Sequence, residues 1–83
     1  MKGAESIAAA RHIAALPTSA QRREALARIP PAFRLLVQET ATHLRFVCLN
    51  WRKRIDAGLP LDQVPDRVRI AMDEILGPGT VRK

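Results

Sequence analysis

Between Ala32 and Asp56 nothing interrupts a helical pattern of apolar and polar positions. At about 100° per residue, Phe33, Leu36, Val37, Thr40, Leu44, Val47, Cys48, Trp51 and Ile55 fall within one broad face. Pro31 suits a first helical turn, and Gly58-Leu59-Pro60 provides the stop. The pattern predicts one long helix over residues 31–57, with that face turned to a core. A second apolar set, Leu35, Phe46 and Leu49, lies nearly opposite, with Thr42 and Lys53 among them. Arg34, Arg45 and Arg52 share one azimuth to within ~20° on the flank between the two apolar faces. His43, Asn50 and Arg54 form the other flank.

Shorter elements surround this helix. Residues 4–16 are alanine-rich and read as a helix ended by Pro17; Ile7, Ile13 and Leu16 are its large apolar residues. Thr18 and Gln21 stand at capping-box spacing and predict a second helix over 19–29, with Ala25, Leu26 and Ile29 turned inward. Pro30-Pro31 breaks it. Residues 63–76 read as a last helix with Pro65 in its first turn, and Val64, Val68, Ala71, Met72 and Ile75 share a face. The expected fold is all-α: a small bundle of about four helices (4–16, 19–29, 31–57, 63–76) around one long central helix. Residues 1–83 form one domain, with 77–83 as a flexible tail.

Composition sets the class of function. Eighty-three residues lie near the lower limit for an independently folding domain, which leaves little room for a substrate pocket beside a core. Cys48 is the only cysteine, so the chain makes no internal disulfide and assembles no cysteine-based zinc site. His12 and His43 have no second ligand three or four residues away. No Gly-rich phosphate loop or metalloprotease motif is present, and Asp73-Glu74 are adjacent on a helix, where side chains diverge. We therefore expect a non-enzymatic protein without cofactor or metal. No apolar run approaches the ~18 residues of a membrane span, and Glu5 stands where a signal peptide would carry its apolar core. The expected location is the cytoplasm.

The net charge is +6 and unevenly placed. Residues 1–54 carry ten Lys/Arg against three Glu, whereas 55–76 carry two Arg against five Asp/Glu. Such an asymmetry suits an acidic partner. Two sets of residues are candidates for contact. Leu35, Phe46 and Leu49, rimmed by Arg34, Arg45, Arg52 and Lys53, have the makeup of a protein interface, for a foreign target or a second copy in a homodimer. The alternative is nucleic-acid binding through Arg22, Arg23, Arg28, Arg34, Arg45 and Arg52. The Ile-Pro-Pro turn lacks the glycine usual in a helix-turn-helix, and the helix after it is too long and apolar for a recognition helix.

The segment from Ile13 to Arg34 (IAALPTSAQRREALARIPPAFR) resembles the LP…RRE.L..IP…R segments of small helical phage and prophage proteins of bacteria. The resemblance covers about a quarter of the chain. It implies a small accessory protein that binds and modulates a host protein, as an adaptor or inhibitor in the bacterial host cytoplasm. It assigns no residue a role.

Overall fold

Each helix boundary traces to local chemistry. The computed structural model describes residues 2–77 and contains α1 (Gly3–Ala14), α2 (Ser19–Ala27), α3 (Pro31–Asp56), a 3₁₀ turn at Leu61–Gln63 and α4 (Asp66–Leu76). At the start of α1 the Glu5 carboxylate accepts the Lys2 N–H at 3.1 Å, and the Ser6 hydroxyl donates to the Lys2 carbonyl at 3.2 Å. Thr18 caps α2 by accepting the Gln21 N–H at 3.1 Å, one half of the expected capping box. Pro31 opens α3. That helix closes in a Schellman motif: Gly58 sits at φ 109°, its N–H reaches the Ile55 carbonyl, and Leu59 N–H reaches Arg54, both at 3.0 Å.

The fourth helix needs a correction. Rather than beginning at residue 63 with Pro65 inside its first turn, it begins at Asp66 with Pro65 as N-cap. Pro60 and Pro65 bracket the separate 3₁₀ turn, and Val64 between them is extended and buried. A residue before proline is pushed away from helical angles, which keeps Val64 out of α4. Asp66 lies in the first turn, where the helix dipole favours a carboxylate, and pairs with Arg69. Gly77, at φ 109°, ends α4. Apart from Gly77, the expected tail at 77–83 lies outside the described residues.

The fold is the expected all-α bundle of four helices, and α3 packs against the other three. The longest dimension is 42 Å, close to the ~39 Å of a 26-residue helix at 1.5 Å per residue. The core comprises Ala10, Ile13 and Ala14 from α1, Val37, Ala41 and Cys48 from α3, and Met72 and Ile75 from α4. Leu44, Trp51 and Ile55 pack partly buried against it, as do Ala25, Leu26 and Ile29 around α2. The ring of Trp51 also carries the Arg54 guanidinium at 4.9 Å.

The buried face of α3 is turned relative to the predicted one. Leu36, placed in the core stripe by its spacing, is exposed, and Ala41, outside that stripe, is buried. On an ideal wheel this is a rotation of roughly 50° toward the arginine flank. The cause is α1. Its buried face is Ser6, Ala10, Ile13 and Ala14. Small side chains there meet the small Ala41, and a leucine at 41 would hold the two helices apart.

Candidate functional site

Turning α3 in this way leaves its outer face bare. Leu35 is 67% exposed, Phe46 62%, Leu49 41%, and the displaced Leu36 55%. All four lie on a continuous helix with no break between residues 31 and 56. Leu35 and Phe46 are 11 residues, or ~16 Å, apart along the axis. Gln38, Glu39, Thr42 and His43 line the shallow depression of about 500 Å³ between them. The three apolar residues expected on this second face therefore stand together in solvent. Leu36, which periodicity alone had assigned inside, is exposed as well.

The arginines expected to form a rim divide into two groups. Arg34 Nη2 donates to the carbonyls of Ala27 at 3.2 Å and Ile29 at 3.1 Å, at the end of α2. Its Nε is buried without a hydrogen-bond partner among the described residues. Arg45 Nη1 donates to the Ala14 carbonyl, the last of α1, at 2.9 Å. Arg22 Nη1 donates to Leu16 just beyond it at 2.7 Å. Arg52 and Lys53 are exposed, and neither side chain makes a hydrogen bond or ion pair among the described residues.

This division follows from how each helix ends. α3 and α4 run into glycines with positive φ. α1 and α2 end at Ala15 and Arg28, both in right-handed helical conformation. Their last carbonyls thus lack the usual glycine turn and are met by guanidiniums. Positive charge also suits the negative end of a helix dipole. The shared azimuth of Arg34 and Arg45 matches the two helix ends lying along that flank of α3. The missing glycines after Ala14 and Ala27 were the sequence signal for this role.

Between α1, α2 and α3 lies a recess of about 180 Å³. Arg22, Arg23, Arg45, Ser19, Gln38 and Thr42 line it over an apolar floor of Ile13, Leu26 and Ala41. Burial, and then the neighbouring Arg22 guanidinium, pull Arg45 below the usual arginine range, with Cys48 opposing. No carboxylate of the described residues pairs with Arg22, Arg23 or Arg45. Gln38 and Thr42 also border the depression between Leu35 and Phe46, so the recess and the outer face adjoin. Among the remaining alternative nucleic-acid contacts, Arg28 pairs with Glu24 at 3.1 Å.

Cys48 is a buried free thiol, and burial pushes it up from its ordinary value despite the pull of Arg45. A thiol held protonated is a poor nucleophile. His12 and His43 are exposed. Among the described residues no group of three or more His, Cys, Asp or Glu is placed to hold a metal ion. Nor is any helix among them long and apolar enough to cross a membrane. No family model matches this sequence, and no curated protein or solved structure matches it either.

Proposed function

We propose that this chain is a non-enzymatic protein-binding module that engages an acidic protein surface through the outer face of α3. The observation that carries the reading is the exposure of Leu35, Phe46 and Leu49 on one face of a helix whose opposite face already serves the core. Apolar side chains gathered on a rigid helix and bordered by charge are the usual makeup of an interface. The three would anchor the contact. Arg52 and Lys53 supply free positive charge at one end, and Arg34 and Arg45 hold the flanking helix ends in place. The net charge of +6 favours an acidic partner and speeds its approach.

The resemblance of residues 13–34 to phage and prophage proteins supports a more specific role, as a phage-type adaptor or inhibitor of a host protein in the bacterial cytoplasm. That segment covers the end of α1, all of α2 and the start of α3. Nucleic-acid binding through Arg22, Arg23, Arg28, Arg34, Arg45 and Arg52 has less support. Arg28 pairs with Glu24, Arg34 gives its Nη2 to two carbonyls at the end of α2, and Arg22 and Arg45 each tie one Nη to the end of α1, so the six do not present one row of free guanidiniums to successive phosphates.

The test is Phe46→Glu, read by circular dichroism, light scattering and affinity capture from a bacterial lysate. Because Phe46 is exposed, the variant should keep its helicity and melting temperature yet lose the captured partner. A fall from dimer to monomer would make the occupant of the face a second copy of this chain. Unchanged capture and unchanged mass together would end the proposal.

A further inference from the structure

We infer that the recess between α1, α2 and α3 is a binding site for one phosphate group, held by Arg22, Arg23 and Arg45. Charge is the first argument. Arg22, Arg23 and Arg45 all line a recess of about 180 Å³, and no carboxylate of the described residues pairs with any of them. Like charges brought together at a concave surface raise the local potential and favour an anion over water. A doubly charged anion balances them better than a single carboxylate does.

Donor geometry is the second argument. Arg22 and Arg45 each donate one Nη to a carbonyl of the α1 terminus, which fixes both side chains. A guanidinium has five N–H donors, so most of each fork remains for another acceptor. The Arg23 side chain makes no hydrogen bond or ion pair among the described residues. Ser19 and Thr42 add hydroxyls to the lining. Ser19 is also the first residue of α2, a nine-residue helix in which Thr18 takes the Gln21 N–H and leaves those of Ser19 and Ala20. Three guanidiniums and two hydroxyls carry donors enough for the oxygens of one phosphate. The recess, at about 180 Å³, has room for one such group.

The group has two possible sources, a free phosphate ion or a phosphorylated side chain. This inference stands apart from the protein-binding reading, because its test uses no partner protein. Inorganic phosphate, N-acetyl-phosphoserine amide and acetate are titrated into the full chain at ionic strength matched with chloride, and amide and arginine Nε–H resonances are followed by NMR. Phosphate should give saturable shifts at Ser19, Arg22, Arg23, Thr42 and Arg45, at least about ten-fold tighter than acetate. Phosphoserine amide binding more tightly than inorganic phosphate assigns the site to a tethered group, and weaker binding assigns it to the free ion. Arg23→Gln, which removes no intramolecular bond, should fold as the parent does and bind phosphate about ten-fold more weakly. Phosphate also raises stability by being excluded from protein surfaces, and that effect persists in the variant. Equal shifts from acetate and phosphate, or equal phosphate affinity in Arg23→Gln and the parent, would overturn the inference.

Discussion

The Arg45 guanidinium on α3 donates a 2.9 Å hydrogen bond to the Ala14 carbonyl at the end of α1, across 31 residues of chain. α1 ends without a glycine turn, so this contact replaces a local cap with a tertiary one. Arg45 also stands beside Arg22, whose own bond to Leu16 serves the same helix end.

Replacing Arg45 with Met keeps the apolar stem and removes the donor. The Ala14 carbonyl loses a charged partner, at a cost of about 1.5 kcal/mol. Arg45→Lys should recover part of the loss, since it restores the charge without the planar fork. Urea unfolding followed by circular dichroism checks this through the midpoint at constant slope. An unchanged midpoint in Arg45→Met would show that the carbonyl does not depend on the arginine.

The rotation of α3 predicts opposite outcomes for two substitutions that periodicity alone would rank the other way. Leu36→Ala removes an exposed side chain and should change stability by less than about 0.5 kcal/mol. Ala41→Leu places a large side chain between α3 and the alanines of α1 and should cost about 1–3 kcal/mol. Thermal melts of the two variants against the parent decide it. A larger loss for Leu36→Ala than for Ala41→Leu would restore the predicted stripe.

Cys48 ties stability to alkaline pH. Burial raises its folded pKa above the ordinary value of 9.0, so the folded thiol keeps its proton where the unfolded chain has lost it. The folded state then binds more protons than the unfolded one above pH 9.0, and stability must fall as pH rises through that window. Well below pH 9.0 the contribution is present in full. Cys48→Ala removes the effect, so the stability gap between parent and variant should narrow as pH rises through and above 9.0. Parallel curves over that range would refute it.

Much of the candidate site was legible as spacing. Leu35, Phe46 and Leu49 form a second apolar stripe by helical periodicity alone, and all three stand exposed. The arginine flank was legible as geometry but not as role. Arg34 and Arg45 share an azimuth in any helix, whereas their engagement depends on where α1 and α2 end in space. The recess was not legible at all. It joins Arg22 and Arg23 of α2 to Arg45 of α3 over Ile13 of α1, residues brought together only by packing.

By itself the sequence determined the number and order of the helices and most of their boundaries, the start of α4 excepted, because proline, glycine and capping side chains act within a few residues of where they stand. It also determined the surplus apolar stripe and the charge imbalance, which no folding can change. Only the tertiary structure decided which part of the long helix faces inward. Helical periodicity defines relative directions around an axis and leaves the absolute rotation free. The size of the neighbouring side chains on α1 sets that rotation: alanines admit Ala41 and turn Leu36 outward. The same packing brings Arg34 and Arg45 to the helix ends that lack glycine, since a carbonyl accepts only a donor that the fold carries within about 3 Å of it.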